Sequence, residues 1–95
     1  MIIELTTLPV AREDSAAFEA GWASAAAILS RQPGYIGHRI GRKVEDAGVY
    51  VLEIEWVSLA AHTEEFAQSE AFQAFLGCFV PHLNGEAEVF HFSPA

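Results

Sequence analysis

The sequence predicts an α+β domain with one antiparallel sheet and helices packed against one of its faces. Two observations carry this prediction. Segments of strand-favouring residues and segments of helical periodicity alternate in the order β-α-β-β-α-β. The two middle strands flank a short polar loop and therefore form an antiparallel hairpin. This order is the split βαβ arrangement of ferredoxin-like domains, in which the four strands share one sheet.

The first strand is predicted over residues 1–8, and the first helix over residues 13–31. Strand-favouring side chains fill the first segment, and Pro9 ends it. The helix stops at Pro33-Gly34, which cannot continue it. Apolar residues recur along the helix at i, i+4, i+7 and i+11, as one core-facing stripe. The stripe consists of Phe18, Trp22, Ala25 and Leu29.

The hairpin is predicted from strands at residues 35–44 and 49–56, joined by a four-residue loop at 45–48. Pairing Val44 with Val49 fixes the predicted register of the two strands. That register decides which side chains share a face of the sheet, because a slip of one residue exchanges the faces of a strand.

The second helical region is predicted to be interrupted. Ser58 is a favourable N-cap for its first stretch, and Ser69 can cap a second one. Asn84-Gly85 ends the region, and residues 86–92 form the last strand. The apolar faces are Leu59, His62 and Phe66 in the first stretch, and Phe72, Phe75, Leu76 and Phe79 in the second.

Composition and charge exclude several classes of protein. The 95 residues suit a single domain over 1–95, and a hydrophobic content of 52% is too high for a disordered chain. No apolar run is long enough to span a bilayer, no signal peptide is predicted, and the one cysteine, Cys78, excludes an intrachain disulfide. We therefore expect a cytoplasmic protein. A net charge of −8 argues against binding nucleic acid or anionic membranes.

One face of the sheet is predicted to be a subunit interface. With Val44 opposite Val49, this face mixes apolar and charged side chains. A chain this short gains stability by burying a second sheet face, so we expect a homodimer joined through it. The alternative is a half-polar face left in water. The interface residues in this register are His38, Ile40, Arg42, Val51 and Glu53.

The other face is predicted to hold a pocket beneath the helices. Gly37 and Gly41 lie opposite large side chains of the next strand and leave a hollow there. Arg39 lies between the glycines, and His62 reaches the same layer from the helix. A concave, aromatic-lined site with few polar groups is typical of ligand binding, although each aromatic residue or histidine can equally be plain core. The predicted lining is Trp56, Tyr50, Phe66, Phe72, Gly37 and Gly41, with His62 and Arg39 as polar groups.

Other chemistries lack a sequence signature. The four histidines show no His-x-x-x-His spacing, so no metal site is predicted. The chain has no Gly-x-Ser-x-Gly nucleophile motif, and its Gly34-to-Gly37 segment leads into a strand rather than a helix, unlike a phosphate-binding loop.

Three stretches of the chain resemble antibiotic biosynthesis monooxygenase domains, and the resemblance extends over nearly the whole length. It rests on their order and spacing together. The stretches are Pro33-Gly34-Tyr35-Ile36-Gly37, then Glu53-x-Glu55-Trp56, then Ser58-x-x-Ala61-His62-x-x-x-Phe66-x-x-Ser69-x-x-Phe72-x-x-Phe75.

The resemblance implies a ferredoxin-like subunit that pairs sheet to sheet in a dimeric α+β barrel, with a cavity between sheet and helices. Characterised relatives are cofactor-independent oxygenases of quinols or haem-degrading enzymes. Trp56 matches a Trp of the haem-degrading group, but the first strand lacks that group's Asn. Its haem-ligand position falls near Glu65 or Phe66 rather than on His62. Haem degradation is therefore disfavoured, and no cofactor is expected.

The leading hypothesis is a monooxygenase that oxidises a small aromatic or quinol-type molecule, with Trp56 and Tyr50 orienting it. His62 is the candidate general base, because an unperturbed histidine pKa of about 6.5 permits proton removal near neutrality. Arg39 is the candidate that stabilises the developing oxyanion. Two alternatives use the same pocket: a dimeric module that binds an aromatic molecule without turnover, and an isomerase or lyase.

Overall fold

The computed structural model describes residues 1–95, and its elements follow the predicted order. Four strands and two α-helices are joined by short turns and one π-helical segment. They are β1 (Ile2–Pro9), a 3₁₀ turn (Arg12–Asp14), α1 (Ser15–Leu29), β2 (Tyr35–Lys43), β3 (Asp46–Trp56), the π-helical segment (Ala61–Phe66), α2 (Glu70–Phe79), a 3₁₀ turn (Val80–His82) and β4 (Glu88–Phe92).

The strands form one antiparallel sheet in the order β2-β3-β1-β4, and the helices cover one of its faces. This confirms the predicted ferredoxin-like α+β class. The apolar stripe of α1 is buried against the sheet over its whole length, as its spacing predicted. None of the helices combines the length and the apolar composition needed to cross a bilayer.

Two glycines allow close packing on the helical side. Gly34 has a φ of 83°, which L-amino acids with a side chain rarely adopt, and an added Cβ would lie 2.6 Å from the Cβ of Ala61. The turn between α1 and β2 thus rests directly on the π-helical segment. Gly21 brings α1 against the backbone of α2, where an added Cβ would collide with the carbonyl oxygen of Cys78.

The predicted interruption of the second helical region is confirmed. The Ser69 hydroxyl accepts a hydrogen bond from the backbone N–H of Phe72 at 3.3 Å and caps α2. The Ser58 hydroxyl accepts one from the N–H of Ala61 at 3.2 Å, at the start of the π-helical segment. Two serine caps therefore divide the region into two short helical pieces.

The predicted hairpin register is wrong by one residue in β2. The strands are joined by a tighter turn than the four-residue loop, and Val44 lies in that turn, fully exposed, instead of pairing with Val49. Val49 pairs with β1, and the carbonyl of Gly48 accepts a hydrogen bond from the N–H of Val10. The start of β3 therefore follows β1, and an irregularity in the β2 ladder absorbs the difference. The observed partners are His38–Ile54, Ile40–Leu52 and Arg42–Tyr50.

The shift exchanges the two faces of β2 and corrects the predicted interface. His38, Ile40 and Arg42 lie on the helix side, so they do not share a face with Val51 and Glu53. The buried row of β3 is placed as predicted: Tyr50, Leu52, Ile54 and Trp56 all lie beneath the helices.

Candidate active site

A cavity of about 120 Å³ lies between the sheet and the second helical region. Its wall is almost wholly apolar, and the exceptions are Glu4, Thr6 and His62. A concave apolar site with a few polar groups is the usual setting for binding a small molecule. The principal apolar side chains of the wall are Leu52, Ile54, Phe66, Phe72, Phe75 and Phe79.

His62 enters the cavity wall from the π-helical segment, a type of distortion that is frequent at functional sites. Its imidazole stacks on the indole of Trp56, with ring centroids 5.4 Å apart and planes 8° from parallel. The side chain is only 13% exposed. Packing against a fully buried ring therefore holds the imidazole in one orientation.

Glu4 lies on the helix side of β1, where its carboxylate is buried beside His62. Oε2 accepts a hydrogen bond from the Thr6 hydroxyl at 2.7 Å, and Oε1 accepts one from Trp56 Nε1 at 3.0 Å. These bonds replace part of the hydration that the carboxylate loses on burial. Oε1 also lies 3.3 Å from Nδ1 of His62.

His91 completes the polar cluster from β4. It is paired directly with Glu4 across the two strands, so both side chains emerge on the helix side of the sheet. Its Nε2 lies 2.8 Å from Nδ1 of His62, and its ring is half-buried. Glu4, His62 and His91, which we call the Glu-His-His cluster, thus come from three separate elements.

The contacts of His62 favour one tautomer. Nδ1 lies 3.3 Å from a carboxylate oxygen of Glu4, which can only accept, and 2.8 Å from Nε2 of His91, which accepts when it carries no proton. A proton on Nδ1 of His62 satisfies both contacts. Nε2 of His62 makes no hydrogen bond with the protein and is left as the basic nitrogen. Burial lowers the pKa of His62, and His91 adds to that effect, while Glu4 opposes it. The ring is therefore neutral at neutral pH and able to accept a proton.

Three of the predicted pocket residues line the cavity: His62, Phe66 and Phe72. Trp56 and Tyr50 do not reach it. Trp56 is fully buried behind His62, which it supports by stacking and by its hydrogen bond to the carboxylate of Glu4.

Tyr50 lies elsewhere in the core. Its ring packs on Phe18 with centroids 4.5 Å apart, and its hydroxyl donates to Glu19. The cavity therefore occupies the β1 side of the sheet, whereas the pocket was predicted on the β2 side.

The remaining three predicted residues lie on the opposite face, because of the register error. Arg39 is 81% exposed, and its Nε donates to Oε1 of Glu53 at 3.1 Å. It has no contact with the cavity, so its predicted place beside the reacting oxygen is wrong. Gly37 and Gly41 border open space: an added Cβ at either would meet no atom within 4 Å. Neither glycine lines the cavity beside His62. Gly41 and Tyr50 border a separate, more open depression beside α1, lined also by Phe18, Trp22 and Ile40.

The sequence reasoning missed Glu4, Thr6 and His91. In β1 the more apolar row, Ile3 and Leu5, faces away from the helices, whereas Glu4 and Thr6 face them. A rule that places the more apolar row of each strand under the helices therefore fails for this strand. The available signal was an acid, Glu4, and a hydroxyl, Thr6, at alternate positions of a mostly apolar strand.

The fold and the cluster together define a class of protein: ferredoxin-like domains with an apolar cavity and a carboxylate–histidine pair in its wall. Within that class, the sequence model of the antibiotic biosynthesis monooxygenase family matches residues 1–77. The chain belongs to this family.

The chain is also similar to individual proteins. The uncharacterized protein YczJ of Bacillus subtilis is 34% identical over 73 residues, which are 77% of each chain. A proposed antibiotic biosynthesis monooxygenase from Bordetella bronchiseptica has 28% identity and a TM-score of 0.93, over 99% of this chain and 96% of its own. SnoaB of Streptomyces nogalater, a cofactor-independent oxygenase, has 21% identity and a TM-score of 0.82, over 99% and 92%. At that identity the likeness to SnoaB concerns the fold.

Proposed function

We propose that the protein is a cofactor-independent monooxygenase that oxidises a single-ring phenol or hydroquinone. The observation that carries the proposal is the position of His62 in the wall of an apolar cavity, with Nδ1 beside the carboxylate of Glu4. Burial lowers the pKa of this histidine, which favours its neutral form. Membership of the monooxygenase family supports it, and so does the cofactor-independent activity of SnoaB.

The size of the cavity supports a single-ring substrate. An apolar cavity of about 150 Å³ is known to hold benzene. The cavity here, of about 120 Å³, approaches that size, so one ring fits with small movements of the phenylalanine side chains. A substrate of three fused rings needs a much larger space. Aromatic walls favour a flat ring, and they keep water away from the reacting atoms.

The reaction begins when His62 Nε2 removes the phenolic proton of the substrate. The electron-rich anion forms a C–O bond with dioxygen at a ring carbon, and the peroxide oxygen takes a proton. Loss of the ring hydrogen from that carbon then breaks the O–O bond and releases water. Hydroquinone and dioxygen give hydroxybenzoquinone and water. The substrate supplies all the electrons: one pair when the quinol becomes a quinone, and a second pair when the C–H bond is replaced by C–O.

Glu4 assists this chemistry through His62. Its carboxylate lies 3.3 Å from Nδ1 and stabilises the positive charge that His62 acquires on taking the proton. Trp56 fixes the plane of the imidazole by stacking. Both are positioning residues, and His62 is the catalytic residue.

The test is oxygen uptake by chelator-treated protein with a panel of single-ring hydroquinones, for the wild type and the variant His62→Gln. We expect this variant to lose turnover by about 10²–10⁴-fold and to stay folded. The matched control is His38→Gln. His38 is another partly buried histidine, but it bonds to Tyr35 at 2.7 Å and lies outside the cavity. Tight binding without oxygen uptake by the wild type would instead identify a binding module.

We also propose a homodimer formed through the outer face of the sheet, the face turned away from the helices. Phe90 and Phe92 of β4 pair with Leu5 and Ile3 on this face and are 54% and 44% exposed. Large apolar side chains side by side on an open sheet typically mark an interface. Sedimentation at micromolar concentration tests this proposal, because a species of 10.3 kDa would exclude the dimer.

A further inference from the structure

Beyond this activity, we propose that the Glu-His-His cluster is a binding site for one divalent transition-metal ion, such as Zn²⁺, and that the bound ion switches off the base. The cluster brings together one carboxylate oxygen and two imidazole nitrogens, all within 4.8 Å of one another. Nothing in the spacing of these residues along the sequence indicates such a site. It exists because β4 pairs with β1 directly beneath the π-helical segment.

The distances fit a shared ion. Metal–nitrogen and metal–oxygen bonds of about 2.1 Å place neighbouring ligand atoms about 3.0 Å apart at a right angle, and about 3.4 Å apart at a tetrahedral angle. Nδ1 of His62 lies 2.8 Å from Nε2 of His91 and 3.3 Å from Oε1 of Glu4. The three ligand atoms all lie within 4.8 Å of one another, so an ion shared by them needs a modest rotation of the side chains.

Hydrogen bonds fix the position of the Glu4 carboxylate, as they commonly do for carboxylate ligands in metal sites. Trp56 Nε1 and the Thr6 hydroxyl each donate one hydrogen bond to Glu4, and each oxygen keeps a second lone pair. Stacking on Trp56 fixes the ring of His62. Glu4 and His62 also line the cavity, so an open coordination position would face it.

The donor set selects the class of ion. Two imidazoles with one carboxylate suit Zn²⁺, Ni²⁺, Cu²⁺ or Fe²⁺, whereas Mg²⁺ and Ca²⁺ prefer oxygen ligands alone. The net charge of −8 favours the approach of a cation. Zn²⁺ is the appropriate probe because it has no redox chemistry of its own.

Metal and proton compete for the same nitrogen. An ion on Nδ1 displaces the proton that the free protein keeps there, and a neutral metal-bound imidazole then carries its proton on Nε2. Nε2 becomes a donor and cannot remove a proton from a phenol. The metal-bound form is therefore expected to be inactive in the proposed reaction.

The binding test is calorimetric titration of the chelator-treated full chain with Zn²⁺. We expect one ion per chain, and affinities at least about tenfold lower in the variants Glu4→Gln and His91→Ala. His91→Gln serves if the alanine variant unfolds, because it keeps a polar side chain without an imidazole. His82→Ala removes a histidine outside the cluster and should bind as the wild type does. A wild type that binds no Zn²⁺, or His91 variants that bind it unchanged, would overturn the site.

A second measurement separates the metal site from the proposed activity. Zn²⁺ at a concentration that saturates the site should suppress oxygen uptake at least about tenfold, and EDTA should restore it. Binding without suppression would overturn both the switch and the role of His62 as base, while the metal site would stand. Absence of binding in a protein that still consumes oxygen would overturn the metal site alone.

Discussion

Replacing Glu4 with Gln removes a buried negative charge from beside His62 and keeps the size and shape of the side chain. Trp56 Nε1 requires an acceptor, so the amide oxygen takes the place of Oε1. The amide nitrogen then faces Thr6, whose hydroxyl can rotate to accept from it. Both hydrogen bonds are retained in this arrangement. We therefore expect the variant to fold, with a Tm close to that of the wild type.

The loss of rate follows from the distance between the charges. Unit charges 3.3 Å apart attract by about 5 kcal/mol at an effective dielectric constant of about 20. In a transition state with the proton half transferred to His62, about half of this attraction, about 2.5 kcal/mol, is realised. That amount corresponds to a decrease in kcat of about 70-fold.

The assay is steady-state oxygen uptake at a saturating concentration of a hydroquinone, with metal removed by chelator. The matched control is Glu53→Gln, which removes a carboxylate that pairs with Arg39 on the outer face, far from the cavity. It should retain wild-type turnover. A folded Glu4→Gln variant with a kcat equal to that of the wild type would refute the argument that Glu4 stabilises charge on His62.

Three further outcomes are expected. Burial lowers the pKa of His38 and is the main cause of the lowered pKa of His62, so the unfolded chain binds more protons once the pH falls below about 6.5. The free energy of unfolding is therefore highest above that pH and decreases on acidification towards the lowered pKa values. The double variant His38→Gln/His62→Gln should show a smaller decrease of Tm with pH. An unchanged decrease would contradict the attribution of the pH dependence to these two histidines. Gly34→Ala should cost about 1–3 kcal/mol in denaturant unfolding, because the residue has a positive φ and its Cβ would clash with Ala61; a neutral result would mean that the turn relaxes. Phe90→Lys should shift sedimentation from dimer to monomer, and a persistent dimer would place the interface elsewhere.

The order of elements could be predicted because each carries its own local signal. The stripe on α1 repeats with helical period, and Ser69 marks the start of α2 at its N-cap. Such signals depend on neighbours along the chain, and tertiary contacts reinforce them here. The fold class follows from the order of the elements alone.

The register of the hairpin could not be predicted from β2 and β3 alone. The start of β3 follows β1, through the bond from Val10 to Gly48, and the β2 ladder adapts by an irregularity near Lys43. A contact between strands distant in sequence thus decided which face Arg39 occupies. The alternation of apolar and polar residues in the hairpin strands does not indicate that contact.

Only the site residues of the second helical region were predicted correctly, because helical periodicity indicates which of their side chains face the sheet. His62, Phe66 and Phe72 share the inward side of their segments, and the structure brings them together in the cavity wall. Glu4 and His91 depend on the pairing of β1 with β4, which joins the two ends of the chain. Burial of a carboxylate becomes favourable only once the hydrogen bonds from Trp56 and Thr6 exist.

The central claim is that His62 in the apolar cavity acts as the base of an oxygenation that needs no cofactor. The most direct measurement is turnover of a single-ring hydroquinone by chelator-treated protein under isotopically labelled dioxygen, with mass spectrometry of the quinone. The proposed chemistry predicts one labelled oxygen atom in each product molecule, label in the water released, and loss of both in His62→Gln. Product formation that is unchanged in a folded His62→Gln variant, or a quinone that carries no label, would contradict the claim.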